Sequence, residues 1–326
     1  MLGTRKLFCG VVRFCMAFLP SIAMPLLVHA GSGDGRYLIR NITNGQPRYR
    51  VGSAQIDGTN ITWERKTLSV VPGGLHSGVD VYLYNGTNIS NITNGAVWTN
   101  NNPKISGSNI TWRGNDYDSL MAVYLFDGTS TKVISDQSMD SSWPQISGQN
   151  VVWTSWLEQP DDGNVYLYDG VTTTKISDNE LTPFPSNPQI SGDYVTWRSR
   201  ERLFLYDGED ILDISGDCPN ITRADMYGGN IVWGTIAHEI CLYNGTSTTK
   251  LYTDRQGYIY PAIDGASVVT SGGEASGGGY HYDLTTKALT QLPGIGIEPE
   301  ISGSRIVSEG SNDQILLFDR GTVTQL

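Results

Sequence analysis

The chain has 326 residues, with 22 basic and 33 acidic side chains and a net charge of −11 at pH 7. An acidic chain without a basic cluster argues against nucleic-acid partners, which require clustered Lys and Arg to neutralise phosphates. The 38 glycines and 14 prolines are spread along the chain, and they punctuate short apolar runs in the manner of a turn-rich β protein.

Residues 1–30 differ from the rest of the chain. Arg5 and Lys6 give a positive start, residues 14–28 are largely apolar, and Val28, His29 and Ala30 precede a cleavage point. This pattern predicts a secretory signal peptide. Arg13, Pro20 and Pro25 interrupt the apolar run, so a permanent spanning helix is not expected and the mature chain carries no transmembrane domain. Cys9 and Cys15 lack the small residues before them that lipid attachment needs. Cleavage removes Arg5, Lys6 and Arg13 and no acid, which takes −11 to −14 and leaves residues 31–326 as one domain.

Residues 36–44 (RYLIRNITN) resemble an outer strand and precede the main pattern. From there one decapeptide recurs. Residues 144–153 read PQISGQNVVW, 188–197 PQISGDYVTW and 103–112 PKISGSNITW. Weaker copies occupy 54–63, 224–233, 261–270 and 299–308, making seven whose last residues lie 36 to 49 apart. A period near 40 is the signature of a repeat architecture.

Each copy predicts a short strand, a Ser-Gly turn with Gly at positive φ, and a second strand rich in β-branched residues. A third strand ends in Asn-Gly or Asp-Gly at 85–86, 127–128, 169–170, 207–208 and 244–245, which predicts a type I′ hairpin. A short fourth strand comes next, as at 131–135 (TKVIS) and 174–177 (TKIS). Strands two and three are apolar on both alternating sets, as in Val165-Tyr166-Leu167-Tyr168, and such strands must be covered on both faces. The expected fold is therefore all-β: a propeller of four-stranded antiparallel blades, seven by the copy count. Six is the alternative, because Thr270 and Ser308 replace the strand-two Trp in the last two copies. Seven sets of strands one to three meet eight candidate fourth strands, counting 36–44 and the terminal 322–326, so one outer strand is surplus.

The connections between strands two and three are longest at 64–80, 113–122 and 154–164. They share a face with the blade-to-blade crossovers, and loops on a rigid scaffold are where binding residues concentrate. Trp98 and Trp143 are placed in crossovers, Asp116, Tyr117 and Asp118 in the second long loop, and Trp156 and Glu158 in the third. Aromatic rings beside carboxylates suit a sugar or a cationic peptide, so these seven residues form the candidate ligand site. In contrast, Trp63, Trp112, Trp153, Trp197 and Trp233 are expected in the core by their repeat position.

No catalytic pattern stands out. His76, His238 and His281 fall in a loop and in outer strands, away from the axis where a shared metal would sit. No Gly-x-Ser-x-Gly elbow occurs with an ordered acid and His. Asp161 and Asp162 offer oxygens for calcium but lack the remaining ligands of a calcium loop, and no other cofactor is implied. Cys218 and Cys241 remain after cleavage, and an exported chain allows them a disulfide. Among eight Asn-x-Ser/Thr sequons, Asn85, Asn88 and Asn91 cluster on one rim and are the candidate glycan acceptors.

The string PQISG-x-x-VVW followed by VYLYDG and TKIS resembles the TolB-type propeller repeat, in the form found in exported surface proteins of archaea and bacteria. The resemblance covers residues 36–326 and implies an extracellular or cell-surface propeller used for binding or as part of the envelope. It offers no catalytic motif. The expected function is thus a non-catalytic binding module for a glycan or protein ligand. The rivals are a structural envelope component packing through its rim, and an extracellular polysaccharide- or peptide-cleaving enzyme.

Overall fold

The computed structural model describes residues 26–27, 38–43, 51–71, 74–95, 99–115, 119–157, 163–253, 259–271, 278–310 and 314–319. Within them all regular structure is β-strand. Each sequence copy supplies the first two strands of one antiparallel ladder, here called units 1 to 7 in chain order. Units 3 to 6 are separate four-stranded sheets in simple up-and-down order. Units 1 and 2 appear as one eight-stranded sheet, joined by a single parallel bridge between Val79 and Thr99.

The last unit takes its outer strand from the N-terminal side. Its strands Ile297–Ser302, Arg305–Gly310 and Gln314–Asp319 are completed by Leu38–Asn41 from the N-terminal side, Ile39 pairing with Phe318. The rival strand at 322–326 lies outside the described residues. A two-residue strand, Leu26–Leu27, adds to the outside of Leu38–Asn41.

The repeated letters each have a bond to make. The turn glycines take positive φ, for example +62° at Gly148 and +60° at Gly192. The Ser or Asp before each turn accepts the turn-glycine N–H of the following unit. The pairs are Asp57 with Gly107 (2.5 Å), Ser106 with Gly148 (2.9 Å), Ser147 with Gly192 (3.0 Å) and Ser191 with Gly228 (2.8 Å). Asp264 accepts from Gly303, and Ser302 accepts from Gly58, which ties unit 7 to unit 1. Unit 5 has Tyr227 at this position, and Asp225 instead accepts the Ile263 N–H at 2.8 Å. The Asn two residues after the glycine bonds onward as well, Asn60 to Gly107 O and Asn109 to Gly148 O, both at 2.8 Å. These two sequons are thereby explained by folding. The terminal Ser or Thr of the fourth strand accepts the first N–H of the third, as Ser135 from Val123 and Ser177 from Val165.

The core lies between units. Trp63, Trp112, Trp153, Trp197 and Trp233 are all 2% exposed or less. Three of them stack on the facing third-strand tyrosine, with centroids 5.7 to 6.1 Å apart: Trp63 on Tyr82, Trp112 on Tyr124 and Trp153 on Tyr166. Opposite Trp233 the tyrosine is replaced by Cys241.

Two expectations need correction. The Asp-Gly hairpins are not type I′, because only the glycine has positive φ, +92° at Gly128 and +96° at Gly170. The Asp or Asn precedes the two-residue loop, and its carboxylate or amide oxygen accepts the next N–H groups, Asp127 from Thr129 and Ser130. The stretch 64–80 is not a loop. Strands Asn60–Val71 and Gly74–Tyr84 stay paired out to Val71 and Gly74, forming a hairpin that outreaches the other units.

Candidate functional site

The ring has two unlike ends. One carries the Ser-Gly turns and the short third-to-fourth-strand hairpins, whose polar groups are spent on the bonds above. The other, the crossover face, carries the starts of the first strands, the ends of the second strands and the crossovers.

On this face six of the seven first strands enter with an irregularity just before or at the start of the decapeptide, Pro261–Asp264 of unit 6 pairing without one. Register shifts occur between Gly52 and Gln55, Asn101 and Lys104, Ser142 and Gln145, and Ser186 and Gln189. The bulged residues Ser53, Asn102, Trp143, Asn187 and Glu298 have φ from +48° to +55°. Such a bulge re-aims the side chains at a strand's end. Arg223 and Tyr260 hold the equivalent positions in units 5 and 6. Two residues further on come Gln55, Lys104, Gln145, Gln189, Asp225, Ala262 and Glu300, each in the same register against its second strand. These two tiers line the ring axis, because residues from separated units meet there. Gln55 donates to Glu300 at 2.7 Å, and Arg223 of unit 5 reaches past Ala262 to Glu298 and Glu300 of unit 7, both at 3.3 Å.

The axis divides into two sectors. In units 5, 7 and 1 the polar groups satisfy one another. Burial pushes Asp225 up to about 7, with Glu300 adding to the rise. In units 2 to 4, Lys104 is 4% exposed and makes no hydrogen bond or ion pair among the described residues. Burial lowers its pKa, and Glu300, Glu298 and Asp225 act against that from across the axis. Gln145, Asn187, Gln189 and the Asn102 side chain, all half-buried, are likewise without hydrogen-bond partners among the described residues.

Beside the axis, between units 7 and 1, is a cavity of about 390 Å³ lined by Ser53, Glu64, Lys66, Glu298 and Glu309 among others. Glu309 accepts the Ser53 N–H, and Glu64 accepts the Asn102 N–H at 2.8 Å. Burial pushes Glu309 up to about 7, with Glu298 and Glu64 contributing, and burial raises Glu64 as well. The position after the strand-two Trp thus reaches the next unit's bulge, and Arg113 does the same by donating to Ser142 at 2.9 Å.

Of the candidate ligand residues, Trp143 and Trp156 are described, and neither lies in a loop. Trp143 sits inside Asp140–Ser147 at the bulge, and Trp156 ends Asn150–Trp156, because pairing continues past the irregularity to Asp140 and Trp156. Both are half-buried on the crossover face, with ring centroids 6.1 Å apart. Leu157 beside them is 65% exposed and Phe184, entering unit 4, is 39% exposed. Trp98, Asp116, Tyr117, Asp118 and Glu158 lie outside the described residues, as do Asp161 and Asp162. Sequence reasoning misses the axial residues because the second letter of the decapeptide reads as ordinary strand polarity. Its variation among Gln, Lys, Asp, Ala and Glu, inside an otherwise repetitive string, is the signal that could have found them.

Cys218 and Cys241 are bonded, with Cα atoms 6.5 Å apart. With Glu239 they form the one His/Cys/Asp/Glu group close enough to share a metal among the described residues, but both sulfurs are consumed by the disulfide. His281 is buried with Nε2 3.1 Å from Ser267 Oγ, and His238 occupies a turn at φ +61°. Asn85 and Asn88 are exposed, whereas Asn91 is half-buried and its Nδ2 donates to Asp80 at 3.1 Å. No helix among the described residues is long and apolar enough to cross a membrane.

No protein-family model and no curated protein matches the chain. Solved structures do. The β-propeller domain of the Trilobed protease from Pyrococcus furiosus, described as having an open velcro topology, is 10% identical, with a TM-score of 0.62 over 84% of this chain and 94% of that one. Pyrococcus horikoshii acylaminoacyl peptidase is 10% identical, with a TM-score of 0.61 over 85% of this chain and 52% of its own. The computationally designed Ika8 protein is 16% identical, with a TM-score of 0.56 over 85% and 98%. The chain therefore spans about half the length of the acylaminoacyl peptidase, and at these identities the likeness is one of fold: the protein has a β-propeller fold.

Proposed function

We propose that the protein is an exported, seven-bladed propeller that binds an extracellular glycan or polypeptide on its crossover face and performs no chemistry of its own. The observation that carries this reading is the Trp143–Trp156 pair, half-buried at the crossover end next to the exposed Leu157. On the opposite face the repeated polar groups bond from unit to unit, and the exposed aromatics there, Tyr194 and Tyr227, stand singly at separate turns. Folding does not account for large aromatic and apolar side chains left open at the crossover end. Export agrees with the leader-like residues 1–30 and with a cystine bridge, and the repeat resembles that of TolB-type surface propellers.

A hydrolase is the second reading, favoured by the three carboxylates around the cavity of units 7 and 1. Glu64 and Glu309 each hold a backbone N–H of the neighbouring unit, which gives both a packing role. The binding reading is tested by probing glycan and polypeptide arrays with the mature protein and with Trp156→Ala. Retention of one ligand class by the first and its loss in the second supports it. Binding that ignores Trp156, or no binding at all, overturns it.

A further inference from the structure

Binding on the crossover face leaves the ligand class open, and the axial side chains narrow it. Resting on that reading, we infer that the axial mouth of units 2 to 4 is a seat for a neutral sugar, built from Asn102, Lys104, Trp143, Gln145, Asn187 and Gln189.

These six residues come from the two axial tiers of three consecutive units. Polar groups across the axis, at Gln55, Arg223, Glu298 and Glu300, are bonded to one another. Among the described residues the four carboxamides and the ammonium on this side have no such partner, although Lys104 is more than nine-tenths buried. Burying an ammonium without a bonded partner is costly, and such a group is conspicuous when its neighbours are also unspent. The set calls for an occupant supplying both donors and acceptors at several points, since each carboxamide carries both kinds and the ammonium only donors. Sugar hydroxyls are donors and acceptors at once. Trp143, on the same tier as Asn102 and Asn187, adds the flat apolar surface on which a pyranose C–H face rests.

Charge selects among sugars. Glu298 and Glu300 face the seat from across the axis, with Asp225 close enough to act on Lys104. A uronic or sialic acid would meet these carboxylates, whereas a neutral hexose would not. Arg223 is already paired with Glu298 and Glu300, so an anionic group would find Lys104 as its one unpaired axial cation among the described residues, with Asp225 acting against it, which is why the ligand is assigned as uncharged. An extended peptide could also use carboxamides, but a polypeptide typically gains affinity by adding to a sheet edge or filling apolar pockets. Here the unspent groups are side chains on the innermost strands, each flanked on the axis by the next unit.

The test uses the mature protein on immobilised oligosaccharides of neutral hexoses and of uronic acids, with a peptide panel alongside. Gln145→Ala/Gln189→Ala, Lys104→Met and Trp143→Phe are compared with wild type, with melting temperature as the control for folding. The expected result is binding of neutral oligosaccharides over uronic ones, weakened about tenfold or more by Gln145→Ala/Gln189→Ala without loss of folding. Those two side chains are half-buried and unbonded, so this variant reports even if Lys104→Met does not fold. Neutral-glycan binding that ignores Gln145 and Gln189 overturns the seat, as does preference for uronic acids. Capture of peptides alone, lost on Trp156→Ala, overturns the sugar assignment and leaves the crossover-face reading standing. Absence of any ligand overturns both.

Discussion

Ser302, in the last of the seven repeat copies, accepts a hydrogen bond at 2.9 Å from the backbone N–H of Gly58 in the first. The same bond recurs between Ser106 and Gly148 and between Ser147 and Gly192, so the contact joining the two ends of the repeat array is of the same kind as those inside it. Arg305 adds a bond to Gly58 O at 3.3 Å, in the place that Asn60 and Asn109 fill in other units.

Closure through this contact makes Ser302→Ala comparable with an interior change. Both Ser302→Ala and Ser147→Ala should cost about 1 kcal/mol, the net worth of one such hydrogen bond. Urea denaturation of the two variants measures this. A Ser302→Ala protein as stable as wild type, beside a weakened Ser147→Ala, would mean that units 7 and 1 are not joined in solution.

Two tryptophans on the same strand should behave differently. Trp153 is 1% exposed and stacks on Tyr166, so Trp153→Ala should cost about 3–5 kcal/mol through the void it leaves. Trp156 is half-buried on the crossover face and its loss should cost far less. Equal shifts in the denaturation midpoint would contradict the division between packing and surface tryptophans.

Much of the fold is legible in the sequence. The decapeptide's Pro, Gly, β-branched run and Trp each serve local geometry, so strand order and the packing of five tryptophans come from single-letter pattern. The remainder depends on neighbours in space. Gln55 and Glu300 meet only because the array closes, and nothing local distinguishes Lys104 from Gln145 in the same slot. Trp143 and Trp156 are expected in a crossover and a loop because both lie outside the decapeptide. A bulge with φ +53° at Trp143 instead lets pairing continue to the strand ends. The Asp-Gly turns differ from expectation by one residue of register, since Asp127 serves better as an acceptor before the loop than inside it.

The disulfide constrains unit 5. Cys218 and Cys241 lie 23 residues apart, and closing a loop of that length is worth about 3 kcal/mol in the chain-entropy description. Cys218→Ala/Cys241→Ala should lower stability by that order and should no longer respond to reductant. Wild-type protein that melts identically with and without reductant would show that the bridge contributes nothing.

Glu309 and Asp225 should make stability decline as pH rises from 5 to 7, while the lowered Lys104 acts with the opposite sign toward its own ordinary alkaline range. Glu309 and Asp225 sit at about 7, above their ordinary values of 4.5 and 3.8. An acid raised on folding contributes stability that is full below its unfolded pKa and lost as pH climbs through its folded one. Asp127, Asp169 and Asp207 are lowered by the N–H groups they accept, so their contribution fades only in more acidic solution, outside this window. Chemical denaturation across the range should show the decline in wild type and a flatter profile for Glu309→Gln. A profile that rises, or a variant as steep as wild type, would contradict the assignment.

Binding on the crossover face is tested most directly by hydrogen exchange of the protein with and without its array-selected ligand. Protection should gather at the first-strand entries around residues 102–104, 143–145 and 187–189 and at the strand end near Trp156, leaving the Ser-Gly turns unchanged. Protection centred instead on the turns at Gly107, Gly148 and Gly192, or on the outer strands, would place the ligand elsewhere and contradict it.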